Sequence, residues 1–515
     1  MSGWSIPQDK LQLLGRVLDK IGWWAFLFFM ACLPLTNFPF FPPAIGGGAL
    51  VRPLSVYPLF VLIPLVVLPR LLKARLPRSL IALGIFVIMV VISGLFSMVR
   101  EVTPVMDVSS EQRVLRVLIT LGLGCAFYLT VALVPRNYDE LKAGLRAMYM
   151  GFSIALFWAC FQVVYILNFQ RFYFKIINRL QGYITTRRLF ENRVSGMTYE
   201  PSWFAEQITI LLLPWLLASV ITGRSIFKLR WRWVTVELLL LVWSTVILVF
   251  TFSRAGILDL AVLVLLSLML FYLHKRSLQK EPPTTKRHRK TTTLQSSTEA
   301  GVVQGSPRLR KTWKFIRVVL AVTLGLTILI SGIYLAGQKY DFFMRLWDYW
   351  ETPHPTFMGY LQYLGFAARM IYGEAAYNMY LTSPVIGVGP GVYALYFVDA
   401  LPYQPLAKTP EVIRLITPEE DFNRFITAKN FFLRLLAETG ILGTAAFIAF
   451  FVSIVGMAIN LWLSLEPEEK YWGIGAVMVL AVFVLSTLTF DSFALPNMWV
   501  TFGIITAAFS LRLTR

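Results

Sequence analysis

The sequence predicts an all-α fold, a polytopic transmembrane helical bundle of about twelve spans, and three observations predict it. Of the 515 residues, 57% are hydrophobic and 15% charged, against roughly 25% charged in soluble domains. The apolar residues come in blocks of about 17–25, the length that crosses a hydrocarbon core of about 30 Å. Lysine and arginine gather between the blocks in the alternating pattern of the positive-inside rule. Lipid offers backbone polar groups no partner, so each block must satisfy its own groups as a helix. The alternation of a membrane β-barrel is absent.

In chain order the spans are expected at 21–41, 51–69, 79–99, 114–134, 146–167, 205–222, 234–252, 255–273, 316–336, 437–463, 471–490 and 496–512. The first block follows an amphipathic, mixed-charge tail and lacks a small-residue cleavage pattern, so it reads as a span and not as a cleaved signal. Arg70, Lys73, Arg75 and Arg78 lie between spans two and three. Arg224, Lys228, Arg230 and Arg232 lie between spans six and seven. Threading twelve spans puts both loops, the segment 274–315 and both termini on one side, which the charge rule makes cytoplasmic. One loop disagrees: Glu466, Glu468 and Glu469 outnumber Lys470. Acidic residues count little in the rule, and the threading stands.

Residues 1–273 thus hold spans one to eight, with an outer basic loop at 168–204. Residues 274–315 form a disordered basic cytoplasmic linker, polar and rich in Pro, Thr and Ser. Residues 316–515 hold spans nine to twelve and a large outer loop at 337–430, too long for a mere connection. Short amphipathic helices are expected in that loop at 360–381 and 410–425. The net charge of +20 does not indicate nucleic acid. The linker alone carries eleven Lys and Arg against Glu281 and Glu299, with no aromatic interleaving or folded module beside them. Basic clusters beside a membrane hold topology and touch anionic lipid. Cys32, Cys125 and Cys160 all fall in apolar blocks and read as small buried hydrophobes. His274, His288 and His354 are scattered. No disulfide framework or metal site is expected, and no cofactor.

The outer loops carry the candidate chemistry. The 168–204 loop holds Arg171, Lys175, Arg179, Arg187, Arg188 and Arg193 against Glu191 and Glu200, although cations are normally depleted on the translocated side. A structural reading makes this an interfacial helix whose cations touch lipid phosphates. A functional reading makes it an electropositive pocket, since guanidinium forks onto phosphate oxygens and stays charged. Glu200 and Trp203 follow in YEPSWFAE at the mouth of span six; Glu200 is either an ion-pair partner of a nearby arginine within an aromatic belt, or a base, or the orienter of a sugar or an arginine. Arg254, in TFSRAG, sits shallow in the membrane between two spans, where it either snorkels to headgroups or meets a pyrophosphate. The segment SPVIGVGPG brings Gly389 and Gly391, which permit close backbone approach to a ligand, and its N–H groups can hold an anion. It lacks the spacing of a nucleotide P-loop. Arg369 and Glu374 precede it on an expected helix. Lys429, Asn430, Arg434 and Glu438 enter span ten at helical spacing, where Arg434 and Glu438 can pair.

Taken together, FSRAG, SPVIGVGPG, KNFFLRLLAETGILG and TFDSFALPNMWVTFGI resemble the O-antigen ligase and O-antigen polymerase superfamily over about residues 190–510. The resemblance implies a GT-C-like membrane fold in the bacterial inner membrane, with its active site facing the periplasm. It implies metal-independent transfer of an undecaprenyl-pyrophosphate-linked glycan, to lipid A-core in ligases or to the next lipid-linked repeat in polymerases. It makes the lipid-linked donor and acceptor and the membrane lipid the partners, and for polymerases a chain-length regulator. Arg254 matches the family arginine of the FSR segment, while Arg193 and Arg369 match more loosely. Arg187, Arg188 and Lys429 complete the expected pyrophosphate-binding set; Trp203, Asn430, Glu374, Gly389 and Gly391 would position substrate. Ligases typically carry His where this chain has Lys429, and that His is the proposed base. A lysine needs strong desolvation or a cationic neighbour to act as one. Lys429 therefore reads as a phosphate ligand, Glu200 as base, and the chain as a polymerase; ligase is the alternative. A transporter is the reading from another class, but repeated halves with broken helices are not evident.

Overall fold

The computed structural model describes residues 8–42, 50–73, 77–100, 102, 104, 108–227, 230–231, 234–280, 356, 366–402, 412–413, 416 and 425–513. The chain divides into two compact units, one of residues 1–263 and 365–515, the other of residues 264–364. In the second unit the described residues are the part of one helix beyond Leu263, and Thr356.

The first unit opens with α1, Gln8–Ala31, and α2, Val56–Leu62, which runs through a π-helical stretch, Ile63–Val67, into α3, Leu68–Lys73. Then come α4 (Ser79–Val99), α5 (Ser110–Leu133), α6 (Tyr138–Leu167) and α7 (Arg171–Gln181). Helix α8, Pro201–Gln207, leads through a second π-helical stretch, Ile208–Leu212, into α9, Leu213–Thr222. Two two-residue strands, β1 (Arg230–Trp231) and β2 (Val234–Thr235), pair antiparallel before α10, Val236–Phe250. Helix α11 is Arg254–Lys280, and α12 is Ala367–Thr382. After the short α13, Tyr393–Tyr396, come α14 (Phe431–Leu463), α15 (Pro467–Ser486) and α16 (Pro496–Leu513). Polar residues set the starts: Ser109, Asn137, Thr235 and Asn430 each accept the backbone N–H three residues on, which satisfies one orphan donor of a first turn.

The all-α polytopic architecture is what the structure shows. Among the described residues, seven helices are long and apolar enough to cross a membrane, and two shorter apolar helices accompany them. Twelve spans are thus not reached among these residues, and the ninth, at 316–336, lies outside them. The first span needs correction. Its helix ends at Ala31, and residues 32–42 run as turns and extended chain. The reason is LPLTNFPFFPP, whose prolines remove donors and push the preceding residues out of helical geometry. At 274–280 the expected linker is instead the end of α11, and residues 281–315 lie outside the described chain. The expected helix at 360–381 is α12, shifted to start at Ala367; of the one at 410–425, only residues 412, 413, 416 and 425 are described.

Helix α14 is the hub of the first unit, packing on α4, α12, α15 and α16, while α16 also packs on α5. It is broken at Gly440, whose φ of 62° and ψ of −166° leave the helical region. A break inside a span strands backbone groups that lipid cannot satisfy. The SPVIGVGPG loop satisfies them. Val388 and Gly389 donate to the carbonyls of Ala437 and Glu438 at 2.9 and 3.0 Å. Ile441 and Leu442 donate to the carbonyls of Pro384 and Val385 at 2.8 and 3.2 Å. A Cβ at Gly387 would lie 2.4 Å from Glu438 backbone, and one at Gly440 2.4 Å from Val385 backbone. Two motifs distant in sequence, one beginning at Ser383 and the other at Lys429, are therefore halves of one fitted joint.

Polar contacts sort the loops into two ends. At one end Arg136 pairs with Asp19 at 2.8 Å, and Arg70 caps the carbonyls of Leu133 and Val134. There Glu468 takes Lys142 at 3.0 Å and Arg224 at 2.7 Å, and Glu469 takes Arg512 at 3.2 Å. The acidic loop that departed from the charge pattern thus pairs with Lys142 of α6, Arg224 and Arg512 of α16. At the other end Thr186 donates to Asn37, Arg100 to Ser383, and the amide of Lys429 to Asp491. Four of these contacts, Arg136 with Asp19, Glu468 with Arg224, Arg100 with Ser383 and Lys429 with Asp491, join segments outside the expected spans, and the twelve-span threading has both partners of each on one side.

Candidate active site

The site is built from the segment 183–200, the turn before α11, and the start of α8. Two buried glutamines hold the segment. Gln162 of α6 accepts the N–H groups of Ser195 and Gly196 at 2.9 and 3.0 Å, and donates to Gly196 O at 2.9 Å. Gln181 donates to Thr185, whose hydroxyl donates to the carbonyl of Arg187. An irregular loop beside a membrane span needs such partners, because its own backbone supplies few.

That scaffold aims Arg187 and Arg193. Arg187 pairs with Glu200 at 3.0 Å and lies over the rings of Phe190 and Tyr199, 4.3 and 4.9 Å from their centroids. Arg193 donates from Nε to Thr251 O at 3.0 Å, and the next amide, Val194, donates to Phe250 O. Burial pulls the Arg193 guanidinium below its ordinary value, while the Glu200 charge raises it and Arg187 lowers it. Glu200 stands just before α8, with Pro201 at the first helical position. Its Oε1 takes Arg187, and Ser202 Oγ lies 3.4 Å from Oε2. The carboxylate so placed also faces the positive end of the helix. Trp203 packs tilted against Tyr199, ring centroids 5.6 Å apart.

Arg254 is the first residue of α11, and Ser253 caps that helix through the N–H of Gly256 at 3.3 Å. Phe252 takes φ 48°, a left-handed value costly for a bulky side chain. The turn therefore stays sharp, and Arg193 grips it three residues before Arg254. Arg187 and Glu200 meet as an ion pair, the structural reading of Glu200, and Arg193 beside them holds the turn before Arg254. Arg188 is exposed.

The other candidates gather around α14. Lys429 takes φ 52°, its amide donating to Asp491 Oδ2 at 2.8 Å, and its side chain is exposed. Asn430 caps α14 by accepting from Leu433 N at 3.0 Å. Arg434 and Glu438 pair at 2.9 Å, and Arg434 also donates to Asp491 O at 2.7 Å. Burial pushes the nearby Tyr393 hydroxyl above its ordinary range. The amide of Gly389 is engaged by Glu438 O, and Gly391 O takes Arg113 Nε at 2.9 Å; Gly389 serves the joint with α14, and Gly391 packs on α5. Arg369 lies over the Phe366 ring, and Glu374 is exposed on α12.

Sequence reasoning did not single out Asp491, Arg113, Glu206, Asp259 or Asn497. Asn497 donates to Glu206 at 3.2 Å; Asp259 takes Thr209 at 3.1 Å and Ser486 at 3.4 Å. The next carbonyl, Thr487 O, accepts from Phe431 N. Through Asp259 and the 486–491 turn, the helix of Arg254 is tied to the start of α14. Glu206, Asp259 and Asn497 carried a signal, each a polar residue in an otherwise apolar block, which marks function or pairing; Asp491 and Arg113 lie outside the blocks and carried none.

Residues 239–448 match the O-antigen ligase family model. The match supports the O-antigen ligase and polymerase superfamily, to which the motifs pointed. It covers the Arg254 turn, the SPVIGVGPG loop and the start of α14. Proteins described by this family are glycosyltransferase-like enzymes acting on lipid-linked glycans in a membrane. No curated protein matches the chain.

Proposed function

We propose that the protein polymerises undecaprenyl-pyrophosphate-linked polysaccharide repeat units. The observation that carries the proposal is the pairing of Arg187 with Glu200 beside Arg193, which itself holds the turn before Arg254, at the end of the bundle opposite its basic loops. By the charge rule the basic end is cytoplasmic with both termini, so the site faces the periplasm from the inner membrane. Three guanidinium groups suit a pyrophosphate leaving group, whose charge grows as its bond to the sugar breaks. An acceptor hydroxyl oxygen attacks the anomeric carbon, and the carbon–oxygen bond to pyrophosphate breaks. Undecaprenyl pyrophosphate departs, and Glu200 receives the hydroxyl proton. One displacement inverts the anomeric configuration. The exposed Lys429 supplies a further charge for phosphate, and Trp203 a face for a sugar ring. In this reading Arg188 and Arg369 add positive charge for the anionic substrate, and Glu374 and Asn430 give it polar contacts.

The family description favours a second reading, ligase, in which lipid A-core is the acceptor. Lys429 in place of the ligase histidine favours the polymerase. The deciding assay reconstitutes purified protein with lipid-linked repeats, without nucleotide or metal, beside Arg254→Ala. A ladder of longer lipid-linked glycans that falls by about 10²–10³-fold in the variant is expected. Transfer only when lipid A-core is supplied would make the protein a ligase. A retained anomeric configuration, or an unaffected variant, would overturn the mechanism.

A further inference from the structure

The six cations of the 168–204 loop do not form one set. Arg187, Arg188 and Arg193 follow the turn after α7, and two of them build the site above. Arg171, Lys175 and Arg179 sit four apart along α7 and are exposed. Beside them, one residue on, run Phe172, Ile176 and Leu180, exposed by 78, 43 and 45%. Spacing of four places each trio in a stripe along the helix, and the offset of one makes the two stripes adjacent. Among residues 171–181 there is no acidic residue. The opposite face is committed to the protein: Ile177 and Gln181 are buried, and Gln181 receives Trp158 Nε1 at 2.6 Å.

The apolar stripe also continues a lipid-facing one. On α6, Ile154, Phe157 and Val164 are exposed by 61, 59 and 52%, and Leu167 by 63%. Phe169, exposed by 53%, bridges from that span to α7. The chain leaves its span at Leu167 and turns into a helix whose apolar edge extends the same surface while its neighbouring edge is cationic. This is the build of a helix lying at a membrane interface.

We infer that α7 is seated on the bilayer surface, with its apolar stripe in the acyl boundary and its three cations on anionic phospholipid headgroups. Anionic lipid is the occupant that matches both stripes at once; a protein partner would match the charges only with an acidic face and would still leave the apolar edge of α6 unexplained. The seat also reaches the site mechanically. Gln181 ends α7 and bonds Thr185 and Gly196, which flank Arg187 and Arg193.

The test uses the full chain in nanodiscs, in a background where Cys32, Cys125 and Cys160 are alanine. Single cysteines at positions 171, 172, 175, 176, 179 and 180 carry a spin label, and collision with oxygen is compared with collision with a water-soluble nickel chelate. Oxygen is expected to dominate at 172, 176 and 180, and the chelate at 171, 175 and 179. Replacing neutral lipid by anionic lipid is expected to deepen the apolar trio. Arg171→Gln, Lys175→Gln and Arg179→Gln together are expected to abolish that deepening, at roughly fivefold in partition per cation. Six positions equally open to the chelate would overturn the inference. So would an apolar trio closed to both reagents, which means protein covers it, and so would equal depth in neutral and anionic lipid. Six labelled positions keep the test alive if one variant fails to fold, and glycan transfer plays no part in the readout.

Discussion

Two arginine–glutamate pairs stand at the same end of this bundle and differ in what they leave unsatisfied. Arg434 and Glu438 meet at 2.9 Å with side chains 11 and 3% exposed. Asp491 gives Arg434 a second carboxylate at 3.9 Å and a carbonyl at 2.7 Å, and the backbone around Glu438 is locked into the joint at Gly440. Arg187 and Glu200 meet at 3.0 Å with side chains 29 and 34% exposed, on a loop hung from two glutamines. The first pair is closed on itself. The second is open, held by aromatic rings on Arg187 and by a helix start at Glu200, and a substrate can divide it. The difference teaches that charge alone does not mark the working arginine: Arg434 has more carboxylate around it and less to offer a ligand.

The comparison breaks most visibly at Arg434. Arg434→Leu leaves Glu438 buried without its cation, and removal of one member of a buried pair costs about 3–5 kcal/mol. The folded fraction on heating in detergent is expected to fall accordingly. Arg434→Leu with Glu438→Leu is expected to recover most of that loss, because two well-packed apolar side chains replace a buried ion pair at little cost. A single variant as stable as the parent would mean that the pair is open after all, and that the contrast with Arg187 is empty.

Much of this contrast was legible in the sequence, and the rest was hidden for identifiable reasons. Blocks of apolar residues gave most of the spans to within a few residues, because span length is set by bilayer thickness and not by packing. The first span slipped because its apolar run continues through prolines that stop the helix at Ala31. The spacing of Arg434 and Glu438 announced their pair. Nothing in the spacing of Arg187 and Glu200 did so, since they stand 13 positions apart on irregular chain. Asp491 and Arg113 are partners across distant segments, and only folding brings them to Lys429 and Gly391. The glycines of SPVIGVGPG were read as a cradle for an anion; the Gly387 amide goes to Ser383, the Gly389 amide to α14, and the Gly391 carbonyl takes Arg113.

A smaller effect tests the scaffold of the open pair. Gln162→Leu removes the acceptor of two buried amides, Ser195 and Gly196, and orphaned buried donors cost about 1–3 kcal/mol each. Some of that cost disappears if the loop lifts into water, and lifting it also frees Arg193 from Thr251. The expected result is a stability loss of about 2 kcal/mol together with a rise in KM for the lipid-linked donor. An unchanged KM would show that the loop keeps its arginines in place without its glutamine.

The smallest expected stability effect lies in the open pair itself, and there the contrast is sharpest. Exposed ion pairs are worth about 0.2–1 kcal/mol. Arg187→Gln, Glu200→Gln and the double variant should therefore yield a coupling energy below about 1 kcal/mol in thermal unfolding, against several for Arg434 and Glu438. Activity should rank the other way among the survivors. Glu200→Gln keeps the shape of the side chain and its bond to Ser202 but cannot accept a proton, so it is expected to lower kcat with little change in KM. Arg187→Gln is expected to raise KM for the pyrophosphate-bearing donor, and Arg187→Lys to restore part of it, since lysine returns the charge without the fork. If Glu200→Gln spares kcat while Arg187→Gln abolishes binding, the pair is a substrate clamp and the base lies elsewhere, with Asp491 beside Lys429 the next carboxylate to replace.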